Sequence, residues 1–391
     1  MTKHRVLLTA VLVVALAAGG AVGAQLNFGG DLKLHLFDMS TGSSTIMGWD
    51  SLGNPVPVKY DTTDRWDMGF ERAYLYFVVQ ITDQASVDIE PEFVARSGAT
   101  PQLGMRIGTQ RASNESGLGV AFNAAKLTLA VPWNLQVSGG ILRPLFTEDY
   151  GDMKAFQETN RYDKTGANYW LQAWHDMGIE VYKPFELKLG EEYVSIPTYL
   201  YLLNGAPNYI DIPASDNNSN KMVMLHVAPE FWKIRVMGSY GFGKWDDEGK
   251  YNVMRYAAGL SAAFGPVWLR AEYMGGRWDN EMWQQSGEPL VIDTFAAKPF
   301  GYYAKLGVNI VPDRLRFILD YDYAEHNFNG FLSIGNPAVK QQYTTVSGTL
   351  GWTVFTGSQV MLGVEKAMWK TSDGNTKLDF LRPTLGWRTV F

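Results

Sequence analysis

Two-residue alternation of apolar and polar side chains, a regular succession of short and long connections, and a last strand that stops on an aromatic residue together predict an all-β fold. The architecture expected is a 16-stranded antiparallel transmembrane β-barrel with short periplasmic turns and long external loops. Each part follows from a physical demand. Alternation gives every strand one face for lipid and one for water. An even strand count puts both chain ends on the short-turn side, and closure leaves no unpaired edge in lipid. The last strand has Leu381, Pro383, Leu385, Trp387, Thr389 and Phe391 on one face. Arg382, Thr384, Gly386, Arg388 and Val390 share the other. Trp387 and Phe391 are expected to face lipid, with Arg382 and Arg388 facing a watery lumen.

The chain opens on a different kind of segment. Lys3, His4 and Arg5 precede an apolar run over 6–18, and Val22-Gly23-Ala24 is a small-residue cleavage site. Residues 1–24 are expected to be a cleaved secretory signal peptide, and 25–391 to be the barrel domain. No later stretch reaches the ~18 apolar residues of a membrane helix. With 20 Tyr, 20 Phe and 13 Trp, the composition suits interfacial aromatic girdles, and 40 Gly suit tight turns. The absence of cysteine excludes a disulfide scaffold, a thiolate metal site and a cysteine nucleophile. A net charge of −6 argues against a nucleic-acid partner.

The strands follow in order. The first spans about 26–38, with Leu32, Leu34 and Leu36 against Asp31, Lys33 and His35. A loop over 40–64 has Gly42, Gly48, Gly53, Pro55 and Pro57 as breakers. The second (about 66–79) and third (about 86–96) are joined at Thr82-Asp83-Gln84. The third sets Val87, Ile89, Pro91, Phe93 and Ala95 against Asp88, Glu90, Glu92 and Arg96, a face that needs water. A loop over 97–117 leads to the fourth (118–131), and Pro132-Trp133-Asn134 turns into the fifth (135–146). A third long segment, 147–167, precedes the sixth (169–183). A turn near Pro184–Gly190 gives the seventh (192–203). The eighth (221–229) and ninth (232–244) meet at Pro229-Glu230-Phe231. The tenth (251–263) and eleventh (267–277) meet at Gly265-Pro266, and the twelfth (299–310) and thirteenth (314–325) at Pro312-Asp313. The fourteenth (342–354) and fifteenth (359–369) meet at Thr356-Gly357-Ser358, and the last covers 377–391.

Several of these segments resemble a known family. Gly139-Gly140-Ile141-Leu142-Arg143-Pro144-Leu145-Phe146 resembles the Gly-x-(Phe/Ile)-x-x-Pro-x-(Phe/Gly) strand of bacterial porins grouped with the phosphate-selective porins O and P. Glu71-Arg72-Ala73-Tyr74-Leu75 with Ile81-Thr82-Asp83 is similar to that family's first hairpin. Tyr199-Leu200-Tyr201-Leu202-Leu203-Asn204-Gly205 resembles its strand ending in Asn-Gly. Thr384-x-Gly386-x-x-Thr389-x-Phe391 resembles the assembly signal read by the barrel-assembly machinery, with Gly386, Trp387 and Phe391 as its core. Thr389 stands where that signal has a hydrophobic residue. The resemblance implies an outer-membrane porin, commonly a homotrimer in outer-membrane lipid. Its water-filled channel would pass ions and small hydrophilic solutes, with the third external loop folded into the lumen. Phosphate selectivity does not transfer, because the dense basic clusters it requires cannot be matched here.

The third long loop, 147–167, is accordingly the candidate constriction, with Glu148, Asp149, Asp152 and Glu158 as its carboxylates. Strand parity supplies inward bases: Lys33, Arg72, Arg96, Lys126, Lys233, Arg235, Arg255, Arg270, Lys305, Arg316, Arg382 and Arg388, with Arg143 near the loop's start. Inward acids are fewer: Asp88, Glu90, Glu92, Glu180, Glu272, Asp320 and Asp322. Loop acids facing a basic wall would set a transverse field across the pore. An outer-membrane hydrolase is the opposing hypothesis. His35, His175, His226 and His326 lie on scattered segments without a neighbouring serine pattern, so no catalytic residue is assigned. No phosphate loop or zinc spacing is present, so neither a cofactor nor a metal is expected. A structural or adhesive surface barrel would call for larger external loops than these.

Overall fold

Backbone pairing closes into a ring of sixteen antiparallel strands. The computed structural model describes residues 25–39, 41–49, 55–62, 66–96, 117–147, 176–204, 221–244, 252–279, 283–285, 288–290, 296–326, 340–372, 374 and 377–391. The wall strands are β1 Gln25–Met39, β2 Trp66–Thr82, β3 Ala85–Arg96, β4 Gly117–Val131, β5 Leu135–Leu142, β6 Asp176–Leu189, β7 Glu192–Leu203 and β8 Met222–Val227. They continue as β9 Ile234–Lys244, β10 Asn252–Phe264, β11 Val267–Asp279, β12 Phe300–Val311, β13 Leu315–His326, β14 Gln341–Phe355, β15 Ser358–Thr371 and β16 Lys377–Val390. No helix occurs among the described residues. The leader expected at 1–24 lies outside them.

Closure falls where the closing strand requires it. β16 pairs with β1 from Asp31↔Val390 through Lys33↔Arg388 to His35↔Gly386. Phe391 adds a reciprocal backbone pair with Gly30 at 2.9 and 3.0 Å. The short turns carry the backbone conformations that tight hairpins need. Trp133 and Asn134 have φ of 68° and 57°, and Asp313 has 59°. At Gly357 (φ 81°) a Cβ would stand 2.3 Å from the Val390 carbonyl oxygen, so the position needs glycine twice over.

Four expectations shift. The loop over 40–64 holds a hairpin, Thr41–Trp49 against Pro55–Thr62, whose Thr41–Thr45 extends the wall beside Leu381–Lys377. β5 ends at Leu142, four residues early, because the chain there leaves the wall. β6 runs on to Leu189 and turns at Gly190–Glu191. Pro184 does not break it: it stands opposite Pro197, whose carbonyl accepts from Ala228 N–H at 3.0 Å on the far side, so this is a non-hydrogen-bonded level and the β6–β7 ladder loses no donor there. β8 stops at Val227, and Glu230–Phe231 forms a separate short strand.

The two faces sort as alternation demands. Outward positions include Leu127, Leu202, Leu225, Leu269, Leu319, Leu350 and Leu362, all exposed. Inward positions on the same strands hold buried polar groups such as Ser138, Glu180, Asp320, Thr349 and Glu365. Aromatic residues mark both edges of the apolar band. On β10, outward Phe264 and Tyr256 lie eight residues apart. That is about 27 Å of strand, or about 20 Å along an axis to which strands tilt by about 40°.

Candidate functional site

The inner face is built from rungs, residues brought side by side by strand register. One rung crosses eight strands: Arg235, Ser261, Arg270, Lys305, Asp320, Ser347, Glu365 and Arg382. It holds four cations and two carboxylates. Arg270 and Lys305 are adjacent on it, and both lean on rings: Arg270 sits 5.3 Å from Trp268 and Lys305 5.0 Å from Tyr303. Arg255 faces inward six residues from Ser261 on β10 and Arg316 four residues from Asp320 on β13, and Arg316 donates from Nη2 to Gln359 at 2.9 Å.

Across β3–β6 the lining is different. Thr128 and Ser138 share a hydrogen bond of 3.0 Å, and Ser138 donates to Glu180 Oε1 at 3.3 Å. Lys126 Nζ lies 3.5 Å from the same carboxylate. Asp88 stands opposite Lys126, and Glu90 has Arg143 and Lys126 as its charged neighbours. This side therefore gathers Asp88, Glu90 and Glu180 around two bases, whereas the long rung is cation-rich.

At the seam, Arg388 Nε donates to both Asp31 oxygens at 3.0 and 3.1 Å, and Nη2 to Oδ2 at 2.7 Å. The fork geometry fixes first strand to last with a charge-assisted pair. Outward on the same strand, Trp387 Nε1 donates to Thr389 Oγ1 at 2.8 Å, and Ser358 Oγ lies 3.1 Å from that hydroxyl. The unusual threonine thus has polar partners in place of a lipid contact.

The most informative segment is the exit from β5. Gly140 has φ 136°, and a Cβ there would sit 2.2 Å from the Ala125 carbonyl oxygen. Beyond it the chain turns into the lumen. Leu142, Phe146 and Thr147 are buried, packed with Tyr201, Leu203, Met222 and Met224. Leu145 N–H donates to Tyr201 Oη at 3.1 Å. Ser239 Oγ donates to the Phe146 carbonyl at 2.6 Å, and His226 Nδ1 lies 2.7 Å from Ser239 Oγ. Since the serine proton goes to Phe146, Nδ1–H is the donor in the second bond. Thr147, the first residue of the third long loop, is therefore held inside the wall.

The predicted residues distribute as follows. Arg143, of undecided parity in the sequence, lies on the inturned segment beside Glu90. Arg235, Arg255, Arg270, Arg316, Arg382 and Arg388 occupy inward positions. Arg72 shares a rung with Lys33, and Arg96 pairs with Gly117. Lys233 is corrected: it sits exposed in the turn before β9, because the hairpin turns at Trp232 (φ 55°) and Lys233, after Phe231 has paired with Ile234. Glu148, Asp149, Asp152 and Glu158 lie outside the described residues. Sequence parity left out three inward acids, Asp31, Asp176 and Glu365. The Ser239–His226 pair carries no local signal at all, since its target Phe146 is 93 positions away.

No family model and no curated protein matches the chain. Solved structures do. The outer membrane channel DcaP of Acinetobacter baumannii matches with TM-score 0.58 at 12% identity, over 94% of this chain and 98% of that one. The anion-selective porin from Comamonas acidovorans matches with TM-score 0.54 at 11% identity, over 94% and 100%. OmpT, an outer membrane protein of Vibrio cholerae in a trimer form, matches with TM-score 0.54 at 11% identity, over 94% and 99%. The shared feature at these identities is the fold, a closed antiparallel β-barrel.

Proposed function

We propose that the chain is an outer-membrane porin, a water-filled channel for passive diffusion of ions and small hydrophilic solutes. The carrying observation is the pinned exit from β5. A barrel whose lining is charged, and whose third loop starts inside the wall, has the parts of a constricted aqueous pore. On this reading the loop carries Glu148, Asp149, Asp152 and Glu158 toward Arg235, Arg255, Arg270, Arg316, Arg382 and Arg388, with Arg72, Arg96 and Arg143 as further lining. At about 8 Å screening length, only the narrowest zone discriminates strongly between ions.

Location and assembly belong to the same reading. Residues 1–24 are removed on export, and the mature chain starts at Gln25 in the outer membrane of a Gram-negative-type cell. Gly386, Trp387 and Phe391 present the signal to the assembly machinery. A homotrimer is supported by the trimer form of one similar structure. The phosphate-selective porin O/P resemblance names the family proposed, without its selectivity. On this reading no catalytic residue and no cofactor is assigned to the chain. Supporting this, the Ser239 hydroxyl gives its proton to a backbone carbonyl rather than to His226, and both side chains are buried.

Reconstitution of purified protein in a planar bilayer tests the function. Stepwise ionic conductance is expected. A barrel that inserts and resists heat-induced unfolding, yet passes no current, overturns it and favours a structural surface barrel.

A further inference from the structure

Outward aromatic residues form a continuous band at the loop end of β10–β13. Ring centroids lie 6.3 Å apart for Tyr256–Tyr273, 6.4 Å for Tyr273–Phe300, 5.9 Å for Phe300–Tyr323 and 5.2 Å for Tyr302–Tyr323. Such a band marks the interface between hydrocarbon and headgroups. The rung through Phe300 continues as Glu325, Gln342, Lys370 and Lys377. Around the barrel, the aromatic band thus gives way to two lysines directly opposite each other, both exposed. Register carries the rung on through Thr45 to a third lysine, Lys59.

Like charges at directly opposed positions repel, with Cβ atoms about 5 Å apart. The nearby outward carboxylates do not relieve this. Glu325 accepts from Lys340 at 2.7 Å and from Gln342 at 2.8 Å. Asp379 pairs with Lys366. Among the described residues, neither Lys370 nor Lys377 forms an ion pair. Two ammonium groups at this spacing suit the oxygens of one phosphate. Lys370 lies 13 residues from Gly357 and Lys377 14 from Phe391, against nine for Tyr256 from Gly265, so both lysines face outward beyond the aromatic band, where the phosphate that reaches them is a lipid's.

We propose that the Lys370–Lys377 rung is a binding site for the phosphate of an outer-leaflet lipid headgroup. The site rests on the barrel's placement in a membrane and not on conduction. A non-conducting barrel that retains the lipid would separate the two readings.

The test uses the full chain in non-ionic detergent, with bound lipid counted by native mass spectrometry. The probes are diphosphoryl lipid A, the same lipid dephosphorylated, and phosphatidylethanolamine. Diphosphoryl lipid A should be retained in preference to the other two. Each lysine near a charged surface contributes a factor of about five, so K370Q/K377Q should bind about thirty-fold more weakly. Lys377→Glu offers Lys370 an opposite charge, so it should lose the lipid while matching or exceeding the parent's heat resistance. That separates a lost site from a lost fold. The proposal is overturned if the dephosphorylated lipid binds equally, or if K370Q/K377Q retains the lipid. It is equally overturned if inorganic phosphate competes at equimolar concentration, which would mark a small-anion site. Loss of oligomer without loss of lipid would assign the face to a subunit contact.

Discussion

Removing Asp31 should weaken the barrel more than removing its partner Arg388, although the two form one pair. Asp31 is 1% exposed, and the Arg388 side chain 16%. Lys33, fully buried, lies two positions from Asp31 on the same face and directly opposite Arg388, with Arg72 beyond it in register. Asp31→Ala therefore leaves Lys33 and Arg388 together without the carboxylate between strands. Removing one partner of a buried ion pair costs about 3–5 kcal/mol. Arg388→Ala leaves Asp31 with Lys33 still beside it, so the loss is nearer that of charged hydrogen bonds, about 2 kcal/mol. The double variant removes both charges and should fall short of the sum by more than 1 kcal/mol, on the order expected for coupled neighbours. Urea-dependent folding equilibria in lipid vesicles measure all three. Equal single costs that add would refute the argument, because Asp31 would then act as an ordinary two-body partner. Seam opening should also abolish conductance, since an unclosed sheet cannot enclose water.

Three further outcomes follow from the geometry. S239A with Y201F removes the anchors of Phe146 and Leu145, at about 1–3 kcal/mol for each stranded group; noisier open-channel current and faster protease cleavage after Thr147 are expected, with folding yield kept. Gly140→Ala places a methyl 2.2 Å from the Ala125 carbonyl oxygen on a left-handed backbone, so it should cost about 2 kcal/mol or more and lower the refolded fraction. Replacing Glu148, Asp149 and Asp152 together with Asn should shift the reversal potential in a salt gradient toward anions; an unchanged potential would remove this loop from the constriction.

Local pattern was enough for most of the wall. β14 alternates buried and less buried positions from Gln341 to Trp352, and register there follows from burial of one face, so a one-residue slip would turn Val346, Leu350 and Trp352 inward. Pattern failed where a local rule met a tertiary one. Pro184 reads as a breaker until Pro197 is found opposite it. Gly139-Gly140-Ile141-Leu142 continues alternation through Phe146 on paper, yet Gly140 bends the chain inward and Phe146 packs with Tyr201 and Met224. The loop after β1 contains Gly and Pro, but 43–46 pairs with 58–61, and 41–45 lies along the edge that β16 offers.

The sequence by itself determined the barrel, the strand count, the closing partner and the signs of the two faces. Period-two alternation needs no knowledge of distant residues, because each side chain's face is set by its own backbone. Only the tertiary structure decided which inward charges meet. Asp31 reaches Arg388 across 357 positions, Ser239 holds Phe146 across 93, and Lys370 confronts Lys377 outside the wall. These contacts depend on shear and on where each hairpin turns. A shift of two residues in any turn would re-pair every rung beyond it while leaving the face of each residue unchanged.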